Sequence, residues 1–515
     1  MSVIDLLDNG LKRAPERLCL ADKSSTYTHA QVHAMSHQAA DALQAAGVKT
    51  GSRVAIYSPN VALAMVALVG TLRAGAVWLP VQMRNTLREN IEFLAENGCE
   101  FVFFHSSVQA DVDEMSRAIP GLKGAVCLDS VGAYPFFLDW IADRTTGFPD
   151  VDPGPEGLAW IKATGGTTGK PKSVMICQRN VEALFASFHL CMPLPEPHVN
   201  LVVAPITHGA GNIALCILFG GGSVILHERS DPAAIVDAIE KHRVTTLFLP
   251  PTVIYNLLAA PATRGRDYSS LRYLIYAGAP MSAAKLAEAI DIFGPVVAQA
   301  WGQTEAPFIC TYMGPREYVV EDPELLHKRL RSCGRPSPLM RVEVMDDAGR
   351  MLPPNEIGEL VVRGNLVMRG YFNRPEENEA VSRFGWHHTG DVGYRDEDGY
   401  FYIVDRKKDM IISGGFNIYP SEIEQVLWQH PAILDCAVIG VPDEKWGEAV
   451  KAVVELKQGH QVSETELKDH CRVALGGLKT PKSIEVWDSL PRSTVGKVLK
   501  REVRERFWAG QERRV

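Results

Sequence analysis

Between residues 27 and 104 the chain alternates helical stretches with short apolar runs, and that alternation limits the folds open to it more than any other feature. Residues 31–46 and Ala62–Arg73 carry helical character, whereas Arg53–Tyr57 and residues 76–81 suit strands. Strand, crossover helix and second parallel strand is the arrangement that buries both kinds of segment together. The rhythm resumes later, with strands predicted at 201–204, Ser223–Leu226, Thr246–Leu249 and Tyr273–Tyr276 and helices at 233–242 and 283–292. Two consecutive α/β layers are expected.

From Arg341 the character changes. Residues 342–345, 358–362, 393–395 and 400–404 read as short strands separated by Asp-Gly, Pro-Pro and Glu-Asp-Gly turns, which predicts a small antiparallel barrel or sheet. The charge run Asp405-Arg-Lys-Lys-Asp409 is either an exposed loop or a joint between domains. Beyond it, Ser421-Glu-Ile-Glu424 reads as a capping box opening a helix after Pro420. Residues 432–440, 449–456 and Ser483–Val486 then supply strands for a small α+β domain. A chain of 515 residues exceeds one ordinary core, so two or more domains are expected.

Composition excludes several classes of function. A net charge of −8 argues against wholesale nucleic-acid binding, although an ATP-sized anion needs only local positive charge. The ten cysteines include no CxxC pair, so neither a zinc site nor a disulfide framework is indicated and a reducing, cytoplasmic setting fits. The acidic N-terminal stretch lacks the apolar core of a secretory signal, and the most hydrophobic run, 61–72, is shorter than the roughly 20 residues a bilayer span needs. The basic tail from Lys497 to Arg514 reads as a solvated terminal helix.

The chemistry concentrates in a few loops. Residues 163–174 read ATGGTTGKPKSV, placing glycines, threonines and lysines directly after an apolar strand. Glycine lets backbone N–H groups approach a ligand, while hydroxyl and ammonium groups serve phosphate oxygens. The spacing is not that of a Walker A loop, because Gly169-Lys170 comes one residue too soon and Pro171 stands at the magnesium-binding hydroxyl position. Gly278-Ala279-Pro280 is a small-residue turn that a flat group can lie against. QAWGQTEAP, residues 299–307, offers Trp301 for purine stacking or for the core, Thr304 for a phosphate oxygen, and Glu305 as a hard ligand for Mg²⁺. Asp391 follows a tight turn and is suited to ribose hydroxyls, with Arg406 nearby in the chain. His208 sits among Gly209, Ala210 and Gly211, a setting for a structural histidine or for one beside a ligand. Lys497 closes the turn Pro491-Arg-Ser-Thr-Val-Gly-Lys497.

These motifs, in this order from about Thr26 to Arg501, resemble the adenylate-forming (ANL) superfamily, closest to its acyl- and aryl-CoA synthetase branch. The resemblance implies a large N-terminal domain, 1–404, of two α/β subdomains plus a small β-barrel. It also implies a hinge at 405–409 centred on Lys408 and a small mobile α+β domain, 410–515. In that family a carboxylic acid attacks the α-phosphate of ATP, giving an acyl-adenylate that is passed to coenzyme A. By the same resemblance Thr164, Gly165, Gly166, Thr167, Thr168, Gly169 and Lys172 hold the outer phosphates, with Glu305 and Thr164 binding Mg²⁺. Gly278, Ala279 and Pro280 face Trp301, Gly302 and Gln303 across adenine, Thr304 binds the α-phosphate, and Asp391 and Arg406 bind the ribose. Lys497 is the adenylation lysine, with His208, Thr304 and Glu305 completing the catalytic set.

His208, Gly209, Ala210, Gly211, Ala277, Ala279, Gly302 and Pro307 are implied to line the acyl pocket, their small size suiting a medium-chain, branched, aryl or alicyclic acid; the 181–191 segment closes its far wall. Rotation of the small domain replaces Lys497 by Gly414 and Gly415, which line the thiol's path, while Trp446, Lys479 and Lys482 serve the CoA nucleotide. Family habit points to a homodimer. Gly165, Ser173, Trp301, His388, Leu478 and Thr480 depart from the commoner residues at their positions. Two other functions stand beside CoA ligation: acyl-adenylate delivery to a carrier protein, and a catalytically silent nucleotide-binding module.

Overall fold

The computed structural model describes residues 2–149, 151–164, 171–193, 197–492 and 498–508. Two large sheets organise the chain up to Pro336, and the first also takes in one short later strand. In the first, a parallel centre of Leu158–Ala163, Val77–Pro80, Arg53–Tyr57, Cys99–Phe104 and Gly124–Cys127 carries two antiparallel additions, Ser173–Cys177 and Gly370–Tyr371, on one edge. The second has a parallel centre running through Val199–Val202, Thr246–Leu249, Tyr273–Tyr276 and Val297–Gln303, and turns antiparallel at Ala306–Met313.

Helices Ala62–Arg73 and Gly209–Phe219 explain how the sheets meet. Both are apolar around almost their whole circumference, and a helix of that kind has no solvent face to offer. The first packs on the Arg53–Tyr57 side and the second on the Val199–Val202 side, and one continuous core joins them. Trp78 and Trp160, both fully buried, meet edge to face in that core at 6.0 Å. Truncating either to alanine would cost about 3–5 kcal/mol.

The barrel-like segment expected after Arg341 is a four-stranded antiparallel sheet in the order Met340–Met345, Gly358–Gly364, His387–Arg395, Phe401–Arg406. A bridge from Gly334 to Phe401 ties it to the second large sheet. Residues beyond Ile411 form a five-stranded sheet with its own core around Ile423, Val438, Val450 and Leu467.

One local expectation fails. The helix Pro420–Leu427 begins without a side-chain cap, so Ser421 and Glu424 do not form a capping box. The Ser421 hydroxyl donates to the Val404 carbonyl and its N–H to Asp405 Oδ2, while Glu424 accepts from the Val438 N–H and pairs with Lys500. Tertiary partners across the 405–409 segment outbid the local reciprocal pair. Arg504, on the last described helix, pairs with Asp409 at 2.8 Å, so both ends of the small domain grip that segment. All ten cysteines are free, nine of them buried and Cys191 half-buried.

Candidate active site

Asp391 is the centre of the first cluster. It sits on the strand His387–Arg395, directly opposite Arg406 on the neighbouring strand. Arg406 Nε lies 2.5 Å from its Oδ1, and the indole Nε1 of Trp301 donates to its Oδ2 at 2.9 Å. Trp301 is buried, with its N–H spent on the carboxylate, so it serves as core anchor and as carboxylate partner at once. Gln303 reaches the same strand through the Thr389 carbonyl at 3.5 Å. Thr304 stands in the turn between Val297–Gln303 and Ala306–Met313, half-buried beside Gly302.

Glu305 lies in that turn and builds the second cluster. Tyr371 donates its hydroxyl to Glu305 Oε1 at 2.7 Å, and burial followed by the nearby carboxylate pushes the Tyr371 phenol far above its ordinary value. The Lys172 ammonium lies over the Tyr371 ring, 4.8 Å from its centroid. Thr164 and Lys172 close the phosphate-loop neck: the Thr164 N–H donates to the Lys172 carbonyl at 2.8 Å and the Lys172 N–H to Thr164 Oγ1 at 3.1 Å. Glu305, held at one oxygen by a neutral donor, fits the oxygen-only preference of Mg²⁺. The Thr164 hydroxyl accepts one backbone hydrogen bond, and its second lone pair could serve the same ion. Gly165, Gly166, Thr167, Thr168, Gly169 and Lys497 lie outside the described residues.

Gly278, Ala279 and Pro280 follow the strand Tyr273–Tyr276, with Gly278 and Pro280 exposed and Ala277 and Ala279 half-buried. Just beyond them the Ser282 N–H donates to Tyr255 at 2.8 Å. Burial first, then Asp435 and Cys436 of the small domain, push the Tyr255 phenol up, so that domain's edge stands close to the turn. Asp435 is paired with Arg492 at 2.7 Å, and Arg492 bridges to Val498 across the segment that contains Lys497. Gly414 and Gly415 are exposed on the same domain, with the Trp446 indole against Gly414 and 42% of Trp446 in solvent. Lys479 pairs with Glu422 at 2.6 Å, Lys482 is exposed, and Lys408 is half-buried, its ammonium pushed down by burial.

The acyl-pocket candidates separate into two kinds. His208 and Gly209 open the helix Gly209–Phe219, and a Cβ on Gly209 would meet the Phe248 ring at 3.3 Å. Phe248 is edge-on to Phe308 at 6.1 Å, and Phe188, from the 181–191 segment, lies 6.4 Å from Phe308. Phe308 follows Pro307 and holds a φ of +70°, a costly conformation for a bulky side chain that the surrounding packing must enforce. Ala210 is buried. Gly211 answers to packing as well: a Cβ there would fall 1.9 Å from the Ile206 carbonyl oxygen. Its smallness is a backbone requirement, which residue type alone does not reveal.

Sequence reasoning missed a buried cation beside this pocket. Lys162 is only 7% exposed, donates to Asn212 Oδ1 at 2.8 Å, and has its ammonium 4.9 Å from the centroids of both Trp78 and Trp160. No carboxylate pairs with it among the described residues. Burial pushes it down to about 7, and burial together with its charge pushes the neighbouring His208 imidazole down to about 4. His208 is thus neutral at physiological pH, sharing a hydrogen bond with Thr207 Oγ1 at 3.1 Å. Two departures from the resemblance acquire local reasons: Ser173 accepts from Asn97 in a buried pair, and His388 lies 3.1 Å from Glu359.

Comparison with known proteins follows the same lines. The AMP-binding enzyme family matches residues 7–372, and the AMP-binding enzyme C-terminal domain matches 422–497. A feruloyl-CoA synthase from Amycolatopsis sp is 37% identical over 498 residues, covering 96% of this chain and 97% of the relative. Among solved structures, the amide bond synthetase McbA from Marinactinospora thermotolerans superposes with a TM-score of 0.89 at 29% identity, over 98% of this chain and 100% of that one. ATP-bound MatB from Rhodopseudomonas palustris gives 0.89 at 30% identity, over 98% and 99%. With both halves of the pattern present in order, and a relative matched over nearly its whole length, the chain belongs to the AMP-binding enzyme family.

Proposed function

We propose that this protein is an ATP-dependent carboxylate–CoA ligase that works through an acyl-adenylate. The observation that supports the reading is the Trp301–Asp391–Arg406 cluster, whose carboxylate and guanidinium suit the hydroxyls of a ribose. In the first half-reaction the acid's carboxylate oxygen attacks the α-phosphorus of ATP and pyrophosphate departs. Asp391 and Arg406 hold the ribose, Gly278–Pro280 and Trp301 flank adenine, and Thr304 orients the α-phosphate. Lys172 and the rest of the phosphate loop hold the leaving pyrophosphate. Glu305 would hold Mg²⁺, which supplies charge neutralisation to the phosphates. Lys497 adds a cation where negative charge grows in the transition state, the position at which a preorganised charge is most effective. His208 is neutral and leaves the incoming carboxylate undisturbed by a second titrating charge.

The chain then acts as three units: 1–404, a hinge at 405–409 about Lys408, and 410–515. Rotation withdraws Lys497 and presents Gly414 and Gly415 to the site, where the CoA thiol attacks the acyl carbon and AMP leaves. Trp446, Lys479 and Lys482 receive the CoA nucleotide. The substrate is a medium-chain, branched, aryl or alicyclic acid. The phenylalanines Phe188, Phe248 and Phe308 around Gly209 favour the aryl end of that range, in keeping with the feruloyl-CoA synthase relative. No described helix is long and apolar enough to cross a membrane. Ten unpaired cysteines support a cytoplasmic setting, and a homodimer is the expected assembly.

The test is incubation of the pure protein with ATP, Mg²⁺, a panel of carboxylic acids and CoA. AMP release with thioester formation is the expected outcome. Adenylate without thioester would favour delivery to a carrier protein, and neither product would favour a silent nucleotide-binding module.

A further inference from the structure

Residues 368–372 belong to none of the motifs above, yet they join the two loops that handle phosphate. The Met368 N–H donates to the Glu305 carbonyl at 2.7 Å. Arg369 and Phe372 donate to the carbonyls of Met175 and Ser173, on the strand that leaves the phosphate loop. Asn378 pins the middle of the segment from outside, accepting the Tyr371 N–H at 2.6 Å and donating to the Tyr371 carbonyl at 2.9 Å. Tyr371 is therefore fixed at both faces of its backbone. Its side chain projects between Glu305, which takes its hydroxyl, and Lys172, which takes its ring face.

Glu305 and Lys172 carry opposite charges, and nothing in their chemistry prevents a direct ion pair. Such a pair would neutralise the groups needed for cation and phosphate. No ion pair between them is present among the described residues. The tyrosine satisfies each without discharging either: a neutral donor for the carboxylate, a quadrupole face for the ammonium.

We propose that Tyr371 is a positioning residue that holds Glu305 and Lys172 apart and aimed, the first toward the divalent cation and the second toward the nucleotide's phosphates. The inference rests on the reading of Glu305 and Lys172 given above. It separates two contributions by chemistry. Tyr371→Phe deletes the hydroxyl and keeps the ring, so it disturbs Glu305 alone; Tyr371→Leu removes both.

The experiment is titration calorimetry of the full chain with an ATP analogue that cannot be cleaved between α- and β-phosphate, with and without Mg²⁺. Tyr371→Phe is expected to weaken Mg²⁺-dependent nucleotide binding ~10-fold, the loss of a hydrogen bond to a charged group, and to leave metal-free binding within about 2-fold. Tyr371→Leu should also weaken metal-free binding. Adding Tyr371→Phe to Glu305→Gln should cost little more than Glu305→Gln alone, because one acts through the other. Unchanged Mg²⁺-dependent binding in Tyr371→Phe, or losses that multiply in the double variant, would overturn the proposal. If Glu305→Gln by itself left the Mg²⁺ dependence intact, the metal role of Glu305 would fall first and take this inference with it. Should Tyr371→Leu fail to fold, the Phe variant and the double variant decide the matter.

Discussion

At the nucleotide end of the molecule the functional groups are held in finished positions, with Asp391 between Trp301 and Arg406, and Glu305 under Tyr371. At the end we propose for the thiol, Gly414, Gly415 and much of Trp446 face solvent. One end is built by packing; the other, on the proposed reading, is delivered by motion. The contrast teaches how one site serves two transition states. On the proposed reading, groups common to both steps stay with the large domain and the strand that leads into the hinge, and groups needed for only one ride on the small domain.

That division breaks most visibly at Lys497. Lys497→Ala should lower acyl-adenylate formation by roughly 10²–10³-fold while sparing thioester formation from added acyl-adenylate. Pyrophosphate release and thioester yield, measured separately, report the two; equal loss in both would erase the contrast. The converse variant is Gly415→Leu. Gly415 has a φ of +83°, which a branched side chain resists, and the added bulk stands in the thiol's path. Thioester synthesis should fall at least ~10-fold with adenylation intact, allowing for the strain. A variant that makes thioester at the normal rate would remove the glycines from the thiol path.

A smaller effect is expected at Asp391. Asp391→Asn keeps the shape but leaves Arg406 without its counter-charge, so the KM for ATP should rise about 10-fold in the first step, with the KM for CoA unmoved. A matching rise in both would mean that the two ends are not separable. The mildest change in rate at neutral pH is expected from Lys162→Met, whose signature is in stability. The native ammonium titrates near 7 against 10.5 when unfolded, so the unfolded chain binds the proton more tightly. Stability should rise as pH climbs from about 7 toward 10.5 and be lost as pH falls through 7, by a few kcal/mol. Urea unfolding across that range should show the slope in the wild type and a flatter profile in Lys162→Met.

Much of the scaffold was legible because its signals are local. Arg53–Tyr57, Ala62–Arg73, Thr246–Leu249 and Tyr273–Tyr276 begin and end where apolar runs meet turn residues, and the structure keeps those bounds. The Ser421 capping box failed because Val404 and Asp405, which are local to nothing in that motif, offered better partners. Tyr371 and Lys162 were invisible for a related reason. Tyr371 meets Glu305 across 66 residues and Lys162 meets Asn212 across 50, and neither pairing leaves a trace in spacing. Gly211 also has a reason for its size that spacing hides, since a carbonyl at 1.9 Å from a hypothetical Cβ is a fact of packing.

The hidden thiols have a practical consequence. With nine cysteines inside the fold and only Cys191 part-way out, a maleimide dye finds almost no native sulfhydryl to modify. One cysteine engineered on each domain surface would accept donor and acceptor fluorophores against a nearly silent background. Single molecules could then be watched changing pose as each substrate is added, in a chain that is otherwise its natural self.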